Sequence, residues 1–390
     1  MINHPDNYLA SLEASGVLAN RTTRKKIIND LIYNSADNLK LYPDLSDKLL
    51  NEITDLVESP DLLVGNFDSK YLSLPTEVLC TVMKNHQRYV PLFKINRKFS
   101  KLDLDSRKTL STKFFVISNG LKEANKSITK GNESVIKARF ADAKFFIETD
   151  LNLSCNERNK KISSISYLKG LGNIADKVER MIFIANEIFI AVKDTSVNVT
   201  DLLEAAKFSK HDLSSEIVKE FPELQGTMGG KYLMNDGFSK NTSLAVSEHY
   251  FPRFYKDDLP TTKYGSILAI SDKLETIISM FVIGRRPSGS SDPYALRRNL
   301  NGIIQIIWQN NFDLKLDKLF SKLINHWCKQ FNALNINHQK ISDDLIEFSR
   351  QRIISHLEES SYDKEIINAT CESKNIRHLN ILNIADLKKE

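Results

Sequence analysis

Beyond about residue 160 the apolar residues recur every three or four positions almost without interruption. That period matches the 3.6-residue turn of an α-helix. The breaks are few: Gly170-Leu171-Gly172, the span from Gly226 to Gly230, Phe251-Pro252, and the loop GRRPSGSSDP. A run this long, so sparsely punctuated, predicts a body of several packed helices.

The first part of the chain has a different texture. Residues 1–58 read as helices, with TRKKIINDLIYNSADNL and SDKLLNEITDLVES carrying the helical spacing and Ser46 placed to cap the second. LLVGNF, VLCTVM, RYVPLF and KFFVISNG are short, β-branched or aromatic, and bounded by turn formers, which predicts strands over roughly 59–121. GNESVIKARFADAKFFIETD then predicts a helix capped by Asn132, with Ile136, Phe140, Ala143 and Ile147 on its inner face. The expected fold is mainly α, with a small mixed α/β unit near the N-terminus. The expected divisions are a helical segment 1–58, the mixed unit 59–155, an all-helical domain 156–310 and a further helical segment 311–390.

Hydrophobic residues make up 41% and charged residues 26% of the 390 residues, the balance of a soluble globular protein. A net charge of +5 neither demands nor excludes nucleic acid. Four cysteines with no CxxC pair argue against a thiolate zinc site and against a disulfide framework. With no long apolar run and no signal-like N-terminus, the expected location is the cytoplasm.

Three constellations carry possible chemistry. The first is His211-Asp212, read on a helix over 201–220 beside the apolar stripe Leu213, Ile217, Phe221. With Asp272 on the segment SILAISDKLETII, the doublet supplies most of the ligands used by HD-superfamily phosphohydrolases. Those enzymes need another histidine on an earlier helix, and NIADKVERMIFIANEIFIAV, residues 173–192, has none. Two readings stand: a metal-dependent phosphohydrolase, or an HD-like scaffold whose site has lapsed.

The second is the Ser/Gly loop with Arg285 and Arg286, leading through Asp292 as N-cap and Pro293 as first helical residue to Arg297 and Arg298. It reads as a phosphate cradle at a helix start, or as a solvated loop of charge-paired arginines. The third is residues 84–101, where Lys84, Arg88, Lys94, Arg97, Lys98 and Lys101 alternate with Tyr89, Phe93 and Phe99. Cations interleaved with aromatics suit RNA, but the same spacing suits a strand pair with lysines outward. His86 and His249 show no evident partner, and no nucleophile elbow, Walker loop or dinucleotide fingerprint is present.

Several stretches in order resemble one family. LPTEVLCTVMKNHQRYVPLF with FFVISNG, GNESVIKARFADAKFFIETD, YLKGLGNIADKVERM, SKHDLSSEIVKEFPELQGTMGGKY, EHYFPRFYKDDLPTT, ILAISDKLET and IGRRPSGSSDPYALRRNL look like the beta subunit of bacterial glycyl-tRNA synthetases. The resemblance implies a class II aminoacyl-tRNA synthetase of the alpha2beta2 type. The alpha subunit of that family activates glycine with ATP and Mg. The beta subunit grips tRNA(Gly), binds no cofactor itself, and contains an HD-like helical domain. Arg285, Arg286, Arg297, Arg298, Lys84 and Arg88 are then the expected tRNA-phosphate contacts. His211, Asp212 and Asp272 become degenerate HD-type positions with no catalytic or metal-binding role. The chain departs from the pattern in two ways. It matches only the central part of longer relatives, so residues after 311 read as the lead-in to an incomplete anticodon-binding domain, and a non-functional truncated chain is a further alternative. Ser291 also stands where relatives usually carry a lysine.

Overall fold

The computed structural model describes residues 4–96, 109–254, 256–289, 291–331 and 336–371. The chain divides into two compact units, one of residues 1–152 with 220–224 and one of residues 153–219 with 225–390.

The first unit is built on a four-stranded antiparallel sheet in the order β1-β3-β4-β2. The strands are β1 (Tyr42–Pro43), β2 (Asp61–Asn66), β3 (Val90–Phe93) and β4 (Leu110–Ser118). The helices are α1 (Tyr8–Ala14), α2 (Arg21–Leu39), α3 (Asp47–Leu56), α4 (Thr76–Thr81) and α5 (Asn125–Leu151). Ile28, Ile32 and Ala36 of α2 and Leu49, Leu50 and Ile53 of α3 share one core with Val90, Leu92 and Phe115 of the sheet. The helical segment 1–58 therefore packs on the strands and has no separate core among the described residues. Phe114, the next residue along β4, points to the opposite face. Its ring lies so close over Gly65, its partner across the ladder, that a Cβ there would sit 2.4 Å from it. Tyr89 stacks on Phe114 at 5.2 Å and donates a hydrogen bond to Asn132 Oδ1 of α5.

Two local expectations change. VLCTVM is helical: α4 continues into a π-turn over Val82–His86. Pro75 fixes the helix start, and Val78, Leu79, Val82 and Met83 are buried at helical spacing, a pattern a short apolar run cannot distinguish from a strand. α5 begins at Asn125, seven residues before the expected cap, so Asn132 lies inside it. Its buried stripe is the expected one, Ile136, Phe140, Ala143 and Ile147.

Among the described residues the second unit is built of helices: α6 (Cys155–Lys161), α7 (Ile174–Val192), α8 (Val199–Phe208), α9 (Glu216–Glu220), α10 (Thr227–Asn235), α11 (Lys240–Glu248), α12 (Lys263–Val282), α13 (Leu296–Asn310), α14 (Leu316–Gln330), α15 (His338–Glu359) and α16 (Lys364–Cys371). α12 is its axis, packed against α7, α11 and α13. Every residue of α12 from Tyr264 to Glu275 is buried, including Asp272, Lys273 and Glu275. A helix buried all round is ordinarily apolar, and charges on it require partners. That requirement locates the candidate site.

α10 meets α11 through glycine. A Cβ on Gly230 would lie 1.9 Å from Ser247 Oγ and 2.4 Å from the Ser243 carbonyl oxygen. α13 starts at Leu296, three residues after the expected position, because Ala295 is left-handed with φ 53°. Asp292 still caps it from a distance: its carboxylate accepts the N–H groups of Leu296 at 2.8 Å and Arg297 at 2.9 Å.

Candidate functional site

His211 and Asp212 are not on an α-helix. α8 ends at Phe208, and the doublet opens a single 3-10 turn, His211–Ser214, with both side chains fully buried. His211 Nε2 lies 3.1 Å from the Gly229 carbonyl, so that nitrogen carries the proton; Nδ1 faces Arg158 Nε at 3.4 Å. Burial, reinforced by the Arg158 charge, pushes the imidazole down to about 4. Asp212 Oδ2 accepts from Gly226 N–H at 2.6 Å and Gly229 N–H at 3.0 Å, tying down the turn that starts α10. Burial pushes its carboxyl up to about 6 against those hydrogen bonds. The doublet thus holds a helix start in place through hydrogen bonds already made.

Asp272 is engaged by two ammonium groups. Lys177 Nζ of α7 is 3.0 Å from Oδ1, and Lys210 Nζ is 3.0 Å from Oδ2. Although burial opposes its charge, the two lysines hold the Asp272 carboxyl well below its ordinary range. Lys210 also reaches His249 Nε2 at 2.8 Å and lies 3.8 Å from the centre of the Tyr250 ring. His249 Nδ1 donates to the Val246 carbonyl at 2.6 Å, leaving Nε2 as an acceptor for the ammonium. Burial and the Lys210 charge keep this imidazole neutral, well below its usual range. Burial brings Lys210 itself down to about 8, with Asp272 opposing the shift.

A second carboxylate extends the network. Glu275 accepts from Arg180 Nε at 2.9 Å, Lys177 Nζ at 2.9 Å, Tyr167 Oη at 3.0 Å and Ser279 Oγ at 2.8 Å. The Arg180 guanidinium is wholly buried among the rings of Tyr167, Trp327 and Phe331. The positive charges of Lys177, Lys210 and Arg180 face the negative charges of Asp272 and Glu275, with Asp212 nearby. The groups that face these carboxylates are the chain's own ammonium and guanidinium groups. Among the described residues, no three His, Cys, Asp or Glu side chains are grouped to hold a metal ion.

The cationic surface positions divide into two kinds. Arg286 pairs with Asp344 of α15 at 2.5 Å and lies over the Phe281 ring. Arg285 and Arg298 are exposed and Arg297 partly so; among the described residues no carboxylate pairs with any of the three. The first N–H groups of α13 already bind Asp292, so a phosphate at this loop would meet guanidinium side chains and not the helix start. In the basic stretch, Lys84 pairs with Asp44 at 2.6 Å and Arg88 with Glu52 at 3.0 Å. Tyr89 and Phe93 belong to the buried sheet, which removes them as stacking platforms. Arg97, Lys98, Phe99 and Lys101 lie outside the described residues. His86 has a partner after all, Glu223 at 3.2 Å.

The sequence reading missed Lys177, Arg180, Lys210, His249 and Glu275. One signal was available: three charged residues, Asp272, Lys273 and Glu275, inside an otherwise apolar helix imply buried counter-charges elsewhere.

The profile of the glycyl-tRNA synthetase beta subunit family matches residues 1–372. The glycine–tRNA ligase beta subunit of Trichodesmium erythraeum is 37% identical over 369 residues, covering 94% of this chain and 50% of that relative. That of Bacillus subtilis is 33% identical over 389 residues, covering 100% and 54%. That of Synechocystis is 35% identical over 369 residues, covering 94% and 49%. The chain spans about half the length of the curated relatives it matches. With nearly all of its length matched by the family profile, the chain belongs to the glycyl-tRNA synthetase beta subunit family.

Proposed function

We propose that this chain serves glycine–tRNA ligation as a tRNA-gripping beta component. It binds tRNA(Gly) and assembles with an alpha subunit, in an alpha2beta2 enzyme of the cytoplasm. The alpha subunit activates glycine with ATP and Mg and transfers it; this chain holds no cofactor of its own. Residues 156–310 are read as an HD-like scaffold, and residues 311–390 as the approach to an incomplete anticodon-binding domain.

One observation carries the non-catalytic part of the reading: each oxygen of Asp272 has an ammonium group 3.0 Å away, Lys177 at Oδ1 and Lys210 at Oδ2. A divalent cation at that carboxylate would have to displace two ammonium groups, each also bound to a second partner. Unpaired arginines on the surface and family membership support the tRNA part. The alternative phosphohydrolase requires the opposite arrangement.

The test is reconstitution. The chain is co-expressed with an alpha subunit of the same family, and the mixture is analysed by size-exclusion chromatography, labelled-tRNA binding and glycylation of tRNA(Gly). Co-elution and salt-sensitive tRNA binding are expected. A chain that neither captures the alpha subunit nor binds tRNA, or one that purifies with a divalent metal and hydrolyses phosphate esters, overturns the reading.

A further inference from the structure

We infer that the outer face of α5 is an RNA-binding surface, contacting the sugar-phosphate backbone through Lys126, Lys130, Lys137 and Lys144 and an unstacked base through Phe145. The inference rests on the reading that the chain binds tRNA, and assigns to it a surface separate from the arginine loop.

The placement follows from helix geometry. At 100° per residue, positions 126, 130, 137 and 144 fall within about 40° of one another and span about 27 Å along the axis. All four lysines are exposed, in a row about 85° around the helix from the centre of the stripe that Ile136, Phe140, Ala143 and Ile147 bury. Among the described residues Lys126 and Lys130 pair with no carboxylate, and Lys137 has only the through-space attraction of the exposed Asp68, which Lys70 already pairs with at 3.2 Å; Lys144 makes a single exposed contact with Glu148 at 3.5 Å, of a kind worth little in water. Glu133, the other acid on this face, is occupied: its Oε1 accepts the Asn66 N–H at 2.9 Å.

What flanks the row points to RNA over other polyanions. Ser127, Ser134, Ala138 and Ala141 lie beside the lysines, so a backbone can approach the helix closely. Phe145 ends this strip and is 64% exposed. A phenyl ring left in water beside spaced cations matches the way single-stranded nucleic acid is held, with phosphates on the cations and a base on the ring. A membrane surface would ask for a continuous apolar face, which the small polar and alanine residues do not supply.

The experiment measures anisotropy of end-labelled tRNA(Gly) against the full chain over a salt series. Replacing the four lysines with glutamine is expected to weaken binding at low salt by at least about tenfold and to lower the salt slope by about three. Replacing them with arginine should keep both. Phe145→Ala is expected to weaken binding about tenfold with the slope unchanged. All positions are exposed, and an unaltered circular-dichroism melt checks the fold. If the glutamine variant binds like the parent while Arg285, Arg297 and Arg298 substitutions weaken binding, this inference fails and the tRNA reading stands. If the parent chain binds no tRNA, both fail.

Discussion

Lys210 Nζ lies 3.0 Å from Asp272 Oδ2 across 62 residues of sequence, with both groups in the interior of a helical unit. Buried ions stabilise a fold poorly in net terms, yet removing one partner is costly because the other stays behind uncompensated. Lys210→Met leaves His249 without its donor and, among the described residues, Asp272 with Lys177 as its only ion-pair partner within 4 Å, the buried Lys273 acting from farther away. It is expected to cost about 3–5 kcal/mol in urea unfolding. Adding Asp272→Leu to it should recover part of that loss; full additivity of the two losses would show that the pair is not coupled.

The buried imidazoles set an acid limit. His211 is held at about 4 and His249 well below 6.5, so between these values and pH 6.5 the unfolded chain takes up protons that the folded chain refuses. Stability contributed by these residues is complete above pH 6.5 and is lost as pH falls. Asp212, raised to about 6, acts in the opposite sense between its unfolded value and pH 6, and offsets about one of the two protons. Urea unfolding at several pH values should therefore fall by up to about 1.4 kcal/mol per pH unit on acidification below 6.5. His249→Asn should flatten that slope by about one proton, and an unchanged slope would refute its buried neutral state.

Gly230→Ala tests the contact of α10 with α11. The new methyl would meet both Ser247 Oγ and the Ser243 carbonyl, and only the side chain can turn away. Overpacking of this kind costs about 1–3 kcal/mol. The expected readout is a clear drop in the melting temperature of the second unit. Gly131→Ala, at a position with nothing within 4 Å of the added Cβ, should be neutral or slightly stabilising.

The arginine loop should respond unevenly. Alanine at Arg285, Arg297 and Arg298 is expected to lower the salt slope of tRNA binding by about two, with the melt unchanged. Arg286→Ala should affect binding less, because its guanidinium already serves Asp344. Equal effects from all four would mean that the Arg286–Asp344 pair opens when RNA binds.

Much of the fold was legible because periodicity reports which side of an element faces inward. The stripe Ile136, Phe140, Ala143, Ile147, the strands at LLVGNF, RYVPLF and KFFVISNG, and the Ser46 cap could all be read locally. The interior network could not. Periodicity places Asp272 on a helix, but which residue of another helix meets it is decided by packing between segments far apart in sequence. The aromatics of the basic stretch misled for a related reason: Tyr89 and Phe93 alternate with cations along the chain, yet a strand sends alternate side chains to opposite faces, and here the rings went inside. The lysines of α5 carry no signal of their own in the sequence, because exposed cations are ordinary on the solvent side of any helix.

The burial of α12 from Tyr264 to Glu275 also bears on the order of assembly. Its carboxylates Asp272 and Glu275 meet Lys177 and Arg180 of α7, while Lys210 on the segment after α8 adds a second ammonium group to Asp272. Docking α12 without α7 would leave Glu275 in hydrocarbon with neither of its cations. The α7–α12 pair must therefore form before or with the rest of the unit, and the amide protons of α12 should exchange with solvent only when that pair opens.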